Sequence, residues 1–439
     1  MSSPVTNVDG RYGDEGALWP SMSHMRKRIL DPWHMAELVS VGGLIVLFPG
    51  FLFVHFSVAA FDVTLPSILD GLFGFSSALL MVTFAALFPL ILRGYANVVS
   101  TYVLAVFGFI VFTLIWAFTH TTVLDGAYVK VAFIQSVETA VLWLALFFVG
   151  MFLPGHSSTL YRTLAGSFLL IFGFLLLHVF QMGELTFNVS RMYDADNVAS
   201  YQGFARSALV ILIILLSVAS TIKQRIVILM GGLFILFLLG ARSEFYAFVA
   251  TTLLMVSILT LKDSRYAVVM IATIIGTSVV VAVGYESLVQ SRQLEILNLP
   301  SSSSWQSRQW LNEIAIRQLL DTPVFGYFGG HVAEGGGTGN YAHNMLSGWV
   351  NYGMLGFFWY LLLSLSPLLI SIKRLLAMKT QDPAWMLAFT INFSSLLLVS
   401  AAKPIFWPIA ALGWGFFARA ILLSSGRVHA KGVWLTSSR

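Results

Sequence analysis

Residues 98–119 read VVSTYVLAVFGFIVFTLIWAFT, without a single charged side chain. As an α-helix this stretch rises about 33 Å, enough to cross the ~30 Å hydrocarbon core of a bilayer. Windows of the same kind recur on both sides of it, at about 37–60, 73–92, 131–153, 161–181, 205–221, 226–240, 244–261, 266–285, 354–372, 384–402 and 404–424. The expected fold is therefore an all-α integral membrane protein with about 12 transmembrane helices. Connections are short except for 182–204 and 286–353.

Composition agrees with this reading. Hydrophobic residues make up 57% of the chain and charged residues 10%, against about 25% charged in a soluble domain. A mean hydropathy of +0.83 leaves no room for a large soluble domain. The chain divides into a polar tail (1–36), nine spans (37–285), a long loop (286–353), three spans (354–424) and a short tail (425–439). The tail 1–36 has no apolar core beside a cleavage site, so it does not read as a signal peptide, and the first span is expected to act as the insertion signal. There is no cysteine, which excludes disulfides and thiolate metal sites. The net charge of +5 is explained by topology, and no nucleic-acid partner is expected.

Orientation follows from the 25 Lys and Arg residues. With the N-terminus cytoplasmic, only Lys130, Arg191, Arg206, Arg242, Arg292, Arg308, Arg317 and Lys403 fall on the opposite side. The bias makes both termini cytoplasmic and puts the long loop outside, periplasmic in a Gram-negative cell. The outer basic residues run against the rule, so each needs a reason, snorkelling at a helix end being the simplest.

Within the long loop, 301–320 reads as an amphipathic helix that starts at the Ser301–Ser304 run and is stopped by Pro323. At 100° per residue Trp305, Leu311, Ala315, Ile316 and Leu319 share a face, with Trp310 and Ile314 off it. Arg308 sits on that apolar face and needs an anion there, whether a structural carboxylate or a ligand. Arg317 lies opposite, four residues after Glu313, at the spacing of a solvated ion pair. The stretch Glu334–Asn340 is glycine-rich but lacks a phosphate-loop pattern and reads as a flexible loop. Tyr341-Ala342-His343-Asn344 follows, and Asn351-Tyr352-Gly353 is expected to break the next helix, leaving 343–352 at headgroup level.

Other polar residues collect on the same outer side. Arg242 lies in the tight connection Gly240-Ala-Arg-Ser-Glu244. Glu138 lies inside the fourth span, where an ionisable residue is a functional candidate. His178 and Lys403 sit near outer span ends. Together Glu138, His178, Arg242, Arg308, His343 and Lys403 suggest an outward-facing polar site. Asp194 and Asp196 form a weak cation-binding pattern that reads better as a solvated loop.

Three stretches, taken in this order, resemble the O-antigen polymerase and O-antigen ligase superfamily of bacterial membrane glycosyltransferases. They are Gly240–Glu244, with its small-Arg-Ser turn; Arg308 to Gly326, with Arg308-Gln-Trp-Leu311 followed by Pro-x-x-Gly; and Ala342-His-Asn-Met-Leu346 to Gly353-Met-Leu-Gly356. The motif-bearing region covers roughly 225–372, and the polar tail 1–36 is a departure from the pattern. The resemblance implies an undecaprenyl-pyrophosphate-linked glycan donor and a glycan or lipid A core acceptor. It also implies an inner-membrane location and a chain-length regulator as a further partner. It implies His343 as general base and Arg242 and Arg308 as the cations that match the charge of the pyrophosphate leaving group. Asn344, Tyr341, Glu138, His178 and Lys403 are the candidate substrate-binding residues. Inversion at the anomeric carbon is expected, with no metal or other cofactor. Polymerase is favoured over ligase on the number of polymerases in the superfamily alone. A secondary transporter fits the span count, but the chain shows no half-to-half repeat.

Overall fold

The computed structural model describes residues 31–61, 71–95, 98–155, 157–183, 201–288, 303–378 and 381–425. Residues 1–30 and 426–439, the Asp194/Asp196 loop, Arg191 and Arg292 lie outside the described residues, and the first helix starts at Pro32, inside the expected polar tail. All regular structure among the described residues is helical. The helices are α1 (Pro32–Ile45), α2 (Phe51–Phe61), α3 (Leu72–Gly94), α4 (Thr101–Val123), α5 (Ala127–Phe152), α6 (Ser158–Met182), α7 (Tyr201–Val218), α8 (Ile222–Leu238), α9 (Arg242–Thr260) and α10 (Ala267–Leu288). Beyond the 289–302 stretch come α11 (Ser303–Asp321), α12 (Gly330–Ala333), α13 (Leu346–Ala377), α14 (Pro383–Ala401) and α15 (Ile409–Ser424).

Each of the twelve apolar windows falls on a helix. Eight are long and apolar enough to cross a membrane by length and composition; the others fall on α7, α8, α10 and α15. The window 37–60 is not one regular helix. Pro49 lacks a backbone N–H, and a π-helical turn over Val46–Gly50 joins α1 to α2 around it.

The bundle is built around α5, which packs on α15 most extensively and also on α1, α3 and α4. Glycines set that closest crossing. A methyl added at Gly150 would run into the carbonyl of Leu412, and one at Gly415 into the carbonyl of Phe147. Small residues let the two backbones touch where no hydrophobic effect drives helices together in lipid. A second group, α7, α8, α9 and α10, joins the first through α14, which contacts α7, α9, α13 and α15.

The buried charged residues Arg225, Arg419, Glu244 and Lys403 lie at the two ends of the bundle. At the end carrying the start of α1, Arg419 pairs with Glu37 at 2.9 Å. At that same end Arg225 donates to Ala219 O and Gln381 Oε1, each at 2.8 Å. The opposite end gathers the starts of α5, α7, α9 and α13 and the turn between α14 and α15, and it carries the residues singled out from the sequence.

The segment 303–345 folds onto that end. The buried face of α11 carries Leu311, Ile314, Ala315 and Gln318. Ile314 is thus inside and Ile316 outside, so the face is rotated by a fraction of a turn from the one read off the sequence. Arg308, at i−3 and i−7 from Leu311 and Ala315, remains on the packed side. The expected Arg317–Glu313 pair is replaced by Arg317 Nη2 to Glu334 Oε2 at 2.6 Å, because the glycine-rich stretch folds back beside α11. That stretch is tied down as well: Asn340 donates to Gly335 O at 2.6 Å and Gln135 of α5 to Thr338 O at 3.2 Å.

Two glycines fix how α11 meets α13. Gly353 interrupts α13 with φ 65° and ψ −177°, where the sequence suggested a break. Gly326 has φ 69°. The backbones of 324–327 and 350–354 run against each other here, with Tyr327 N donating to Val350 O at 2.7 Å and Met354 N to Val324 O at 2.9 Å. A side chain at either glycine would strike the facing carbonyls. Gly326 and Gly353, one from each of the two sequence motifs, therefore carry a backbone-to-backbone contact.

Candidate active site at one end of the bundle

His343 lies in the turn before α13, and three connections fix it. The carbonyl of Ala402, in the turn that follows α14, lies close enough to act on its ring. The Tyr341 ring stands edge-on to it at 5.3 Å, and Tyr341 is backed by Phe406 and His331 at 5.8 and 6.0 Å. The backbone of the turn is held by Ser347, whose hydroxyl donates to Asn344 O at 2.8 Å and accepts from Ile405 N at 2.9 Å. Burial pushes the His343 imidazole down to about 4, and the Arg308 and Lys403 charges push the same way; the Ala402 carbonyl opposes them. At neutral pH the ring is uncharged. A neutral imidazole keeps one ring nitrogen without hydrogen, and that nitrogen can accept a proton.

Asn344 does two structural jobs. Its Oδ1 accepts from Leu346 N at 3.0 Å at the start of α13, and its Nδ2 donates to Asn312 Oδ1 at 2.8 Å. Asn312 is one turn along α11 from Arg308, so this bond fixes α11 against the His343 turn. Arg308 itself is half-buried, close enough for its charge to act on the imidazole.

Lys403 is deeply buried, as is its partner. Its Nζ stands 2.7 Å from Glu244 Oε1, with side chains 7% and 1% exposed, and also donates to Gln202 Oε1 at 3.2 Å. Glu244 lies in the first turn of α9, two residues after Arg242, where the helix dipole favours a carboxylate. Ser243 donates to its other oxygen at 2.7 Å. Gly240, with φ 68°, makes the tight turn that starts α9 there. Arg206, one turn along α7 from Gln202, lays its guanidinium over the Phe73 ring at 3.9 Å, and its charge acts on Glu244. Arg242 is half-buried at the head of α9.

The structure thus gathers His343, Tyr341, Arg308 and Lys403 directly, and places Arg242 two residues from the carboxylate that holds Lys403. Glu138 is exposed on α5 and is not among the charges acting on His343. His178 is buried in α6. Sequence reasoning missed Glu244, Gln202, Arg206 and Asn312 as members of the cluster. Glu244 gave a visible signal, a carboxylate directly after the Arg-Ser pair, but an acid in the first turn of a helix is also ordinary capping chemistry.

His331 of α12 is a second buried imidazole. It shares a hydrogen bond of 2.8 Å with Gln135 Oε1, and burial holds it down at about 4. Among the described residues no three His, Asp or Glu side chains come together as a metal site. Chemically, the cluster offers one neutral base bordered by cations, a setting for an anion with a proton to be removed beside it. No protein-family model, curated protein or solved structure matches the chain.

Proposed function

We propose that this protein is a membrane glycosyltransferase of the O-antigen polymerase and ligase type. It joins undecaprenyl-pyrophosphate-linked oligosaccharide repeats at the outer face of the bacterial inner membrane. In this reading all twelve apolar helices span the bilayer, both termini are cytoplasmic, and α11 to the start of α13 lie on the periplasmic side. The observation that carries the proposal is the His343 turn: a neutral imidazole packed edge-on against Tyr341 at 5.3 Å, with the charges of Arg308 and Lys403 acting on it.

The chemistry follows from charge. Breaking the glycosyl–phosphate bond puts negative charge on the pyrophosphate, and Arg308 and Arg242 supply preorganised guanidinium groups to meet it. The acceptor hydroxyl loses its proton to His343 as the new bond forms on the opposite face, so the anomeric centre inverts. An imidazole at about 4 is a weak base in the empty site. A diphosphate bound beside Arg308 and Lys403 cancels part of the positive field, raising the basicity of His343 when a donor is present. Tyr341, Asn344, Lys403, Glu138 and His178 are proposed contacts for the glycan or lipid.

The acceptor separates two versions of this reading. A polymerase passes the growing chain to another lipid-linked repeat; a ligase passes it to the lipid A core. The glycan profile of a deletion strain tests both. Single repeats on lipid A core without long chains identify a polymerase. Long undecaprenol-linked chains with bare core identify a ligase. An unchanged profile of every surface glycan removes the proposal and leaves transport as the next reading.

A further inference from the structure

Arg242, at the head of α9, and His343, in the turn before α13, are far apart in sequence, yet a short chain of contacts connects them. Arg242 is two residues from Glu244. Glu244 meets the Lys403 ammonium at 2.7 Å. Lys403 lies in the turn after α14, where Ile405 N donates at 2.9 Å to the Ser347 hydroxyl, which in turn donates at 2.8 Å to the carbonyl of Asn344, next to His343. We infer that Glu244 and Lys403 are a positioning pair that sets the Arg242 turn against the His343 imidazole and holds the Lys403 ammonium away from it. The consequence for turnover rests on the glycosyltransferase reading; the connection itself rests on geometry alone.

Three features favour this over simple glue between helices. First, the pair is placed at the joint. It joins the first residues of α9 to the turn after α14, and both segments also carry site residues or their hydrogen-bond partners. Second, the pair is not isolated. Gln202 binds the same ammonium at 3.2 Å, Ser243 binds the second carboxylate oxygen at 2.7 Å, and Arg206 acts on Glu244 from α7. A buried ion pair needs such added bonds to offset the loss of water. Third, the charge balance is directional. The charges acting on His343 are Arg308 from α11 and Lys403 from the turn after α14. Glu244 pairs with Lys403, is coupled to Arg206, and is the anion of this group. Removing Lys403 takes a cation from His343, whereas removing Glu244 leaves that cation uncompensated.

The test reads His343 directly and needs no donor. Full-length protein in detergent is treated with diethyl pyrocarbonate, which attacks neutral imidazole, and modification of the His343 peptide is followed by mass spectrometry as pH is lowered. In the wild type the midpoint is expected near 4. Lys403→Met should raise it part of the way to the ordinary value of about 6.5, because burial and Arg308 still act on the ring. Glu244→Gln should leave it at or below the wild-type midpoint. If both variants raise the midpoint alike, the pair is only packing and the inference is overturned; it is equally overturned if neither moves it.

Turnover of the undecaprenyl-pyrophosphate-linked repeat supplies the second readout. Each single variant should lose about tenfold or more, equivalent to about 1.4 kcal/mol in the barrier. Glu244→Gln combined with Lys403→Gln should recover part of the loss, because no buried charge is then left alone. A double variant as poor as the sum of the singles contradicts the pairing. Should Glu244→Gln fail to fold, Glu244→Asp replaces it: the charge stays but retracts, so the midpoint should hold while turnover falls. A midpoint that rises in Glu244→Asp overturns the inference. A full response of the midpoints alongside an active His343→Ala protein would retain the pair and remove His343 as the base.

Discussion

Arg308 and Arg317 lie on one helix, and replacing each with Ala should have very different effects. The Arg317–Glu334 contact is short, 2.6 Å, but its side chains are 63% and 34% exposed. A pair so accessible to water contributes up to about 1 kcal/mol. Even if all of it acted on the transition state, the loss would be about fivefold. Arg308 lies on the packed side of α11, and its charge reaches His343. A charge-assisted bond from such a position to the donor pyrophosphate is worth roughly 1.5–3 kcal/mol, or about one to two decades in rate. Lysine at 308 should rescue only partly, since it keeps the charge but loses the planar fork. The assay is the initial rate of lipid-linked donor consumption by purified variants of matched thermal stability. Equal losses at the two positions, or a larger loss at Arg317, would refute the assignment of Arg308 to the donor.

Three further outcomes are expected. Gly353→Ala should lower the thermal unfolding midpoint in detergent, because φ 65° with ψ −177° costs a residue with a side chain about 1–3 kcal/mol and the new methyl would stand 2.8 Å from Val324 O; an unchanged midpoint would contradict the backbone contact described. Acid should destabilise the fold through His343 and His331, both held near 4 chiefly by burial. A depressed folded value means that this stability is fully present above about 6.5 and is lost as pH falls toward 4, so thermal midpoints should drop between pH 7 and 4.5, and less steeply in His331→Gln. Transfer should survive exhaustive EDTA treatment, since Arg308 and Arg242 can match the leaving-group charge; activity lost on chelation and restored by magnesium would redirect attention to Asp194 and Asp196.

The helices were legible because a bilayer demands long apolar runs, and such runs survive in the sequence whatever they pack against. Gly353 was legible as a break for the same local reason. The partners of Arg317 and Lys403 were not. Spacing on one helix suggested Glu313 for Arg317, but Glu334 arrives through the fold of the glycine-rich stretch, which no periodicity encodes. Lys403 read as a free outer cation because Glu244, its partner, belongs to another helix far back along the chain. His343 and Arg308 stood out by their residue types and by one face of one helix; Glu244 looked like an ordinary helix start. Local chemistry can nominate the groups of a site, while their pairing depends on contacts between elements.

The central claim is that His343 removes the acceptor proton during glycosyl transfer from a pyrophosphate-linked donor. The most direct measurement is chain elongation by purified protein in liposomes given an undecaprenyl-pyrophosphate-linked repeat, comparing wild type with His343→Ala of unchanged elution profile and thermal midpoint. The account predicts elongated products from the wild type and none from the variant. Elongation at a near-wild-type rate by His343→Ala would contradict it.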